Sequence, residues 1–368
     1  MPDPRDTAAS TMPADNAVAP VLSAAAAIRA QAKIHHAYLL GLQLMVATRE
    51  GPRAVGDWMF RLFRRQHLEK FLSSLDKLGL AGLPHAVACA RYHVLSNAIG
   101  GVAVEYFEES ERKAWVRFRY PRWMFDGPTI CGVPVEVSRG FLNGWYAHNG
   151  VSLGNPRLGF VCVSEDMTGE FGLCGYFLEH DRPLAEHERL RFAKGETPPP
   201  YDPARQPRPP EQQWSAERLA KAARNYAIDY IRNGVSELAT VIGEPRTREL
   251  AGLAARLIGL QYYRETAAMV GARDGGADRA AHYLSRMIAG MGDAAEVDPG
   301  ACASGAVVRQ RGLRIARGMA GGERELLLDC WKELWVGTVR AHGPMLHARA
   351  ETAAEAADDE LAWIIRAQ

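Results

Sequence analysis

The chain has no run of apolar residues long enough to cross a bilayer; nothing in it approaches the roughly 18 consecutive apolar positions a membrane helix needs. The alanines from Ala24 to Ala27 follow acidic rather than basic residues, so they do not read as a secretion signal, and a cytoplasmic location is expected. Cysteine is scarce. Cys89, Cys131, Cys162, Cys174, Cys302 and Cys330 form no CxxC pair or other close ligand spacing, which argues against a zinc ribbon and a disulfide scaffold and leaves reduced thiols. Charge of one sign is missing as well: 44 basic against 43 acidic residues leave a net +1, with no field to attract nucleic acid or an anionic membrane. The basic run Arg61, Arg64, Arg65 reads as the solvated face of an amphipathic helix. No P-loop, no GxGxxG after a strand, no GxSxG elbow and no HExxH occurs, so nucleotide, α/β-hydrolase and zincin chemistry have no support and no cofactor is called for.

What is present is a chain written twice, the second half repeating the landmarks of the first at an offset of roughly 190 residues. Arg49-Glu50-Gly51-Pro52-Arg53 corresponds to Gly243-Glu244-Pro245-Arg246, and Gln66-His67-Leu68-Glu69 to Gln261-Tyr262-Tyr263-Arg264. Tyr92-His93-Val94-Leu95 then matches His282-Tyr283-Leu284-Ser285, and Trp145-Tyr146-Ala147-His148 matches Val339-Arg340-Ala341-His342. A length of 368 residues with 47% hydrophobic content fills two ordinary cores. The expected fold class is α+β, as two tandem copies of a helices-plus-antiparallel-sheet domain. The expected divisions are a disordered leader over 1–20, a first, site-bearing copy over 21–195, a proline-rich linker over 196–214, and a more degenerate second copy over 215–368.

Apolar spacing of three and four predicts two or three helices between Ala24 and Leu80. Alternation predicts a hairpin from Val102 to Phe107 and Lys113 to Tyr120, open to solvent on one face. A helix is expected from about Val137 to Asn149, and a second hairpin from Leu158 to Ser164 and Phe171 to Glu179. In the second copy, Ser215 is a candidate N-cap, helices run from Ala216 to Ile231 and Pro245 to Val270, and a shorter sheet follows.

This order of elements, with Gly259-Leu260-Gln261-Tyr262-Tyr263-Arg264-Glu265, Val307-Val308-Arg309-Gln310-Arg311-Gly312 and Cys330-Trp331-Lys332-Glu333-Leu334-Trp335, resembles the L-2-amino-thiazoline-4-carboxylic acid hydrolase family. The layout is loosely similar to small 4-vinyl-reductase-type ligand-binding domains. The resemblance is best across Gly243 to Ile365 and implies hydrolytic opening of a cyclic amidine-like C–N linkage. The family's cysteine near the closing strand is replaced in the second copy by Glu360-Leu361-Ala362-Trp363, whereas the first copy keeps Cys174 in Gly172-Leu173-Cys174-Gly175-Tyr176.

Polar groups concentrate in the first copy. His93 and Asn97, one turn apart after Tyr92, place an imidazole and an amide on one helical face. His148-Asn149-Gly150 reads as a helix end, with a left-handed residue at 149 or 150 and a dipole that raises imidazole basicity. Cys131, among the turn formers 126–134, is a candidate nucleophile if a histidine lies beside it. Glu165 and Glu179 flank the last hairpin as candidate acids or as turn residues. Tyr92, Trp123 and Trp145 are candidate pocket walls.

The leading expectation is therefore a hydrolase or lyase acting on a C–N or related bond of a small amidine, amide or imine. His148 or His93 would serve as base, and water, or less readily Cys131, would attack. Asn97 or Asn149 would hold developing charge while Glu165 or Glu179 returns a proton. The alternatives are a small-ligand-binding or scaffold protein, and a haem or metal protein using His93, His148 or Cys174. A homodimer stays open, because a duplicated chain already buries in cis an interface that a single copy forms in trans.

Overall fold

Two long helices, α1 (Ala24–Arg49) and α2 (Pro52–Lys77), meet at Gly51, whose φ of 93° turns the chain and whose successor Pro52 starts the next helix without a lost hydrogen bond. The computed structural model describes residues 24–120, 122, 124, 126–210, 214–302, 305–352 and 360–367. The leader expected over 1–20 lies outside them. After α3 (His85–Ile99) come the hairpin β1 (Val104–Ser110) and β2 (Lys113–Phe118), helix α4 (Val135–Gly144), the short α5 (Asn149–Ser152), and strands β3 (Leu158–Ser164), β4 (Cys174–Glu179) and β5 (Leu190–Phe192).

The second half runs through the same order: α6 (Ala216–Ile242), α7 (Glu244–Met269), α8 (Ala277–Met291), β6 (Ala294–Cys302), β7 (Gly305–Arg311), α9 (Gly321–His342), β8 (Leu346–Thr352) and β9 (Glu360–Ala367). Its long helices also turn at a glycine, Gly243 with φ 81°, followed by Pro245 in the first turn. The sheets are ordered β1-β2-β4-β3-β5 and β6-β7-β9-β8, antiparallel throughout except for the β3–β5 pair. The fold is α+β. No helix among the described residues is long and apolar enough to cross a membrane.

The halves interlock through their first helices. α1 leaves its own half to pack against α7 and α8, and α6 packs back against α2. Tyr38 of α1 donates to the Ala251 carbonyl at 3.0 Å, and Trp58 of α2 donates to the Gly234 carbonyl at 2.7 Å. At the two glycine corners Arg246 pairs with Glu50 at 2.7 Å. One hydrophobic core consequently runs through both halves, since the apolar face of each first helix is buried by the opposite half.

Three expectations are corrected. The first sheet is not open to solvent on its second face: Phe107, Trp115, Val161, Val163, Cys174 and Tyr176 form a second buried cluster there. The linker covers it, with Tyr201 edge-on to Phe107 at 5.9 Å and Glu196 accepting from the Tyr176 hydroxyl at 3.0 Å. Gln206 also fills the free edge of β1, accepting the Tyr106 N–H and donating to its carbonyl, both at 2.9 Å, as a neighbouring strand would. The second sheet has one strand fewer, but its strands are as long as or longer than those of the first. The helix through His148 does not stop at Asn149 in a left-handed conformation; Asn149 is right-handed (φ −56°), and the chain passes from α4 through a 3-10 turn at Tyr146–His148 into α5, reaching positive φ only at Gly154.

Candidate functional site

A cavity of about 170 Å³ lies between α2, α3 and α6, at the seam between the halves. α2 contributes Gln66 and Lys70, α3 contributes Tyr92 and Ser96, and the end of α4 contributes Trp145. The opposite wall belongs to the second half: Trp214, which donates to the Lys77 carbonyl at 3.0 Å and so closes the end of α2, then Ala222, Asn225, Tyr226, Asp229 and Tyr230. Tyr226 and Tyr230 stand one helical turn apart, their hydroxyls 2.9 Å from each other. A glycine at 100 is needed for this approach, because a Cβ there would enter the Tyr226 ring. Lys70 and Asp229 close the seam at 2.5 Å, and Arg232 holds the other oxygen of Asp229 at 3.2 Å.

Two polar atoms of the wall are buried without a hydrogen-bond partner among the described residues: Nε1 of Trp145, a donor, and Oδ1 of Asn225, an acceptor. Such groups cost free energy unless a ligand or water engages them.

Three imidazoles stand behind Trp145. His67 stacks on Phe71, meets Trp145 edge-on at 5.6 Å and His148 at 5.2 Å, and bonds Ser152 Oγ through Nε2 at 2.8 Å; its buried Nδ1 has no hydrogen-bond partner among the described residues. Burial, then His148 and Arg64, push its pKa down to about 3. His148 is pushed down to about 4 by partial burial and by Arg64 and Arg189, so the helix-end basicity expected for it is overridden. His93 is held well below the ordinary imidazole value by complete burial, its ring stacked with Tyr146 at 3.8 Å and with Phe177 at 5.5 Å. All three are neutral at pH 7.

Of the residues singled out from the sequence, Tyr92 and Trp145 line the cavity, and His93 and Asn149 meet directly behind it, Asn149 Nδ2 lying 3.0 Å from His93 Nε2. Asn97 does not join them; its amide donates to the His93 carbonyl at 2.7 Å, tying up its own helix. Cys131 is exposed at the end of the 3-10 turn Gly127–Cys131, and among the described residues no hydrogen bond joins it to a histidine. Glu165 is buried in a two-pronged pair with Arg139, at 2.8 and 3.0 Å. Glu179 pairs with Arg157 at 2.5 Å and accepts from Asn155 at 3.0 Å. These contacts give both carboxylates structural partners away from the cavity. Trp123 lies outside the described residues. Cys174 is buried on the second face of the sheet, where burial pushes its thiol up to about 11. Among the described residues no group of three or more His, Cys, Asp or Glu side chains is placed to hold a metal ion.

Sequence reasoning missed His67, Lys70, Trp214, Asp229 and the pair Tyr226 and Tyr230. The tyrosines carry a signal, two aromatics at i and i+4, but which half they face is a property of the crossed packing of α6. No protein-family model, curated protein or solved structure matches this chain.

Proposed function

We propose that the chain binds a small, partly aromatic molecule in the cavity between its halves. The observation that carries this reading is the pairing of a wall that holds the aromatic rings of Tyr92, Trp145, Trp214, Tyr226 and Tyr230 with a buried donor, Trp145 Nε1, and a buried acceptor, Asn225 Oδ1, that have no hydrogen-bond partner among the described residues. A space of this size is on the scale that accepts a single six-membered ring, about 150 Å³ for benzene in a dry protein cavity. Rings stack on Tyr92, Trp145 and Tyr226, while a polar substituent able both to donate and to accept satisfies the two orphaned atoms. The same donor–acceptor pattern belongs to amides and cyclic amidines.

The recurrence of element order, strand order and glycine–proline corners supports a tandem duplication in which one site has persisted. In the equivalent place between α7, α8, α9 and α1, Trp331 donates to His35 at 3.1 Å and Trp335 packs edge-on to the same ring at 6.0 Å, with all three side chains fully buried.

A second reading, acid–base hydrolysis or elimination at a C–N bond, is favoured by the neutral His67, whose Nδ1 has no hydrogen-bond partner among the described residues and whose ring lies against Trp145. In that reading His67 or His148 accepts a proton from attacking water, and His93 with Asn149 positions the wall.

Native mass spectrometry of protein purified from its own host tests the binding reading: a stoichiometric small molecule that is absent from an Ala222→Phe variant supports it. An apo mass, together with tryptophan fluorescence that no aromatic amide or cyclic amidine perturbs, would end it. Turnover of those compounds that is lost in His67→Gln while binding persists would favour catalysis; unchanged turnover in a His67→Gln, His148→Gln double variant would exclude it.

A further inference from the structure

Arg224, Arg314 and Arg317 lie at one corner of the second half, where Asp293 is the neighbouring carboxylate. Arg224 of α6 lays its guanidinium against the end of α8, so close that a Cβ on Gly292 would stand 2.6 Å from Nη1 and 2.8 Å from Cζ. Gly292 has φ 87° and ends the helix. Asp293, next in the chain, accepts from Gln310 Nε2 at 2.8 Å and from the Arg314 backbone N–H at 3.1 and 3.3 Å. That contact fastens the 3-10 turn Arg314–Ala316 to the same corner, against which α6 packs, and Arg317 follows directly.

Among the described residues no ion pair engages Arg224, Arg314 or Arg317, and Nε of both Arg224 and Arg314 is buried without a hydrogen-bond partner. Burial lowers the pKa of Arg224; Arg314 and Arg317 act in the same direction, against Asp293. The contrast within the chain is clear: Arg122 is held two-pronged by Asp166, Arg139 by Glu165, and Arg246 by Glu50. Three guanidinium charges against the one carboxylate of Asp293, itself already engaged, leave two positive charges uncompensated. Mutually repelling guanidiniums with orphaned buried donors are costly in an empty site and are relieved by a multivalent oxyanion.

We propose that this corner binds a phosphate group, free or as a phosphomonoester, between the guanidiniums of Arg224 and Arg314, with Arg317 at its exposed side. Phosphate suits the corner because its double charge matches the excess and its oxygens accept several guanidinium N–H groups at once. The inference is independent of what fills the cavity between the halves.

The test is calorimetric titration of the full chain at constant ionic strength with inorganic phosphate, glycerol 3-phosphate and chloride. Saturable one-to-one binding of phosphate but not chloride is expected, and a tighter glycerol 3-phosphate identifies an ester as the source, a weaker one the free ion. Arg224→Met and Arg314→Met are each expected to weaken binding at least tenfold. In phosphate-free buffer Arg224→Met should melt no lower than the wild type, while losing the rise in Tm that phosphate gives the wild type. Absence of saturable binding, or wild-type affinity in Arg224→Met, overturns the proposal. Should the variants fail to fold, phosphorus NMR of phosphate with wild-type protein decides the matter: line broadening that sulfate reverses supports the site, and unbroadened lines refute it.

Discussion

Asn149 and His93 are joined across 3.0 Å in the centre of the first half, the amide Nδ2 donating to the ring Nε2, so that the imidazole proton belongs on Nδ1. The bond ties α5 to α3 immediately behind the cavity wall. Asn149→Leu removes the donor and leaves a buried acceptor unpaired, which should lower stability by about 2–3 kcal/mol. Urea denaturation measures it, and a loss below about 0.5 kcal/mol would mean that the bond contributes nothing.

Stability should fall on mild acidification. His35, fully buried, is pushed down to about 4, and His67 to about 3, against an ordinary value of 6.5. The native state keeps both rings neutral while the unfolded chain takes up protons below pH 6.5. Their contribution is therefore complete above that pH and is lost as the pH falls towards 4, at about 1.4 kcal/mol per pH unit for each ring. Denaturant midpoints between pH 7.5 and 4.5 check this, and His67→Phe should flatten the slope by one ring's share.

Helices α7 and α9 touch backbone to backbone. A Cβ at Gly337 would land on the Arg256 carbonyl, and one at Gly259 on the Leu334 carbonyl, with the Thr338 nitrogen 2.9 Å away. Backbone cannot swing aside as a side chain does, so Gly337→Ala or Gly259→Ala should cost about 3 kcal/mol. Gly322→Ala, in the first turn of α9 with open space around it, should be neutral or stabilising by roughly 0.5 kcal/mol. Thermal melts of the three variants separate close approach from helix propensity.

Filling the cavity should separate binding from folding. Ala222 lies on the α6 wall, and Ala222→Phe places a ring where the ligand would sit. The variant should fold with a Tm near that of the wild type and lose at least tenfold in ligand affinity, read by fluorescence of Trp145 and Trp214. Retained affinity would move the site elsewhere.

Gln206 substitutes for a strand on the edge of β1, so Gln206→Ala should cost about 1 kcal/mol and expose that edge. Faster proteolysis within 193–210 and concentration-dependent association by light scattering are the expected signs.

Helices, hairpins and the twofold recurrence were legible because they are written in local pattern. Apolar spacing marked α1 and α2, alternation marked β1 and β2, and the Gly51-Pro52 and Gly243-Glu244-Pro245 corners marked corresponding turns. Tyr92 and Trp145 were recognisable as candidate walls for the same reason, being large aromatics beside polar neighbours. The role of Asn97 was misjudged because i and i+4 spacing says that two residues share a face, not that an amide will prefer the ring of His93 to its backbone carbonyl. Glu165 and Glu179 looked available because Arg139 and Arg157, which occupy them, come from other segments of the chain.

By itself the sequence determined the α+β composition, the order of elements in each half, the glycine corners and the absence of a membrane-length helix, since each depends on residues within a turn or two of one another. Only the tertiary structure decided that α1 and α6 cross between the halves. That crossing brings Tyr226, Asp229 and Tyr230 to Tyr92, Lys70 and Trp145, buries His35 against Trp331, and packs α6, which carries Arg224, against the turn Arg314–Ala316. The physical reason is that an amphipathic helix specifies how much apolar surface it must bury but not which partner buries it; that choice belongs to packing between segments far apart in the chain.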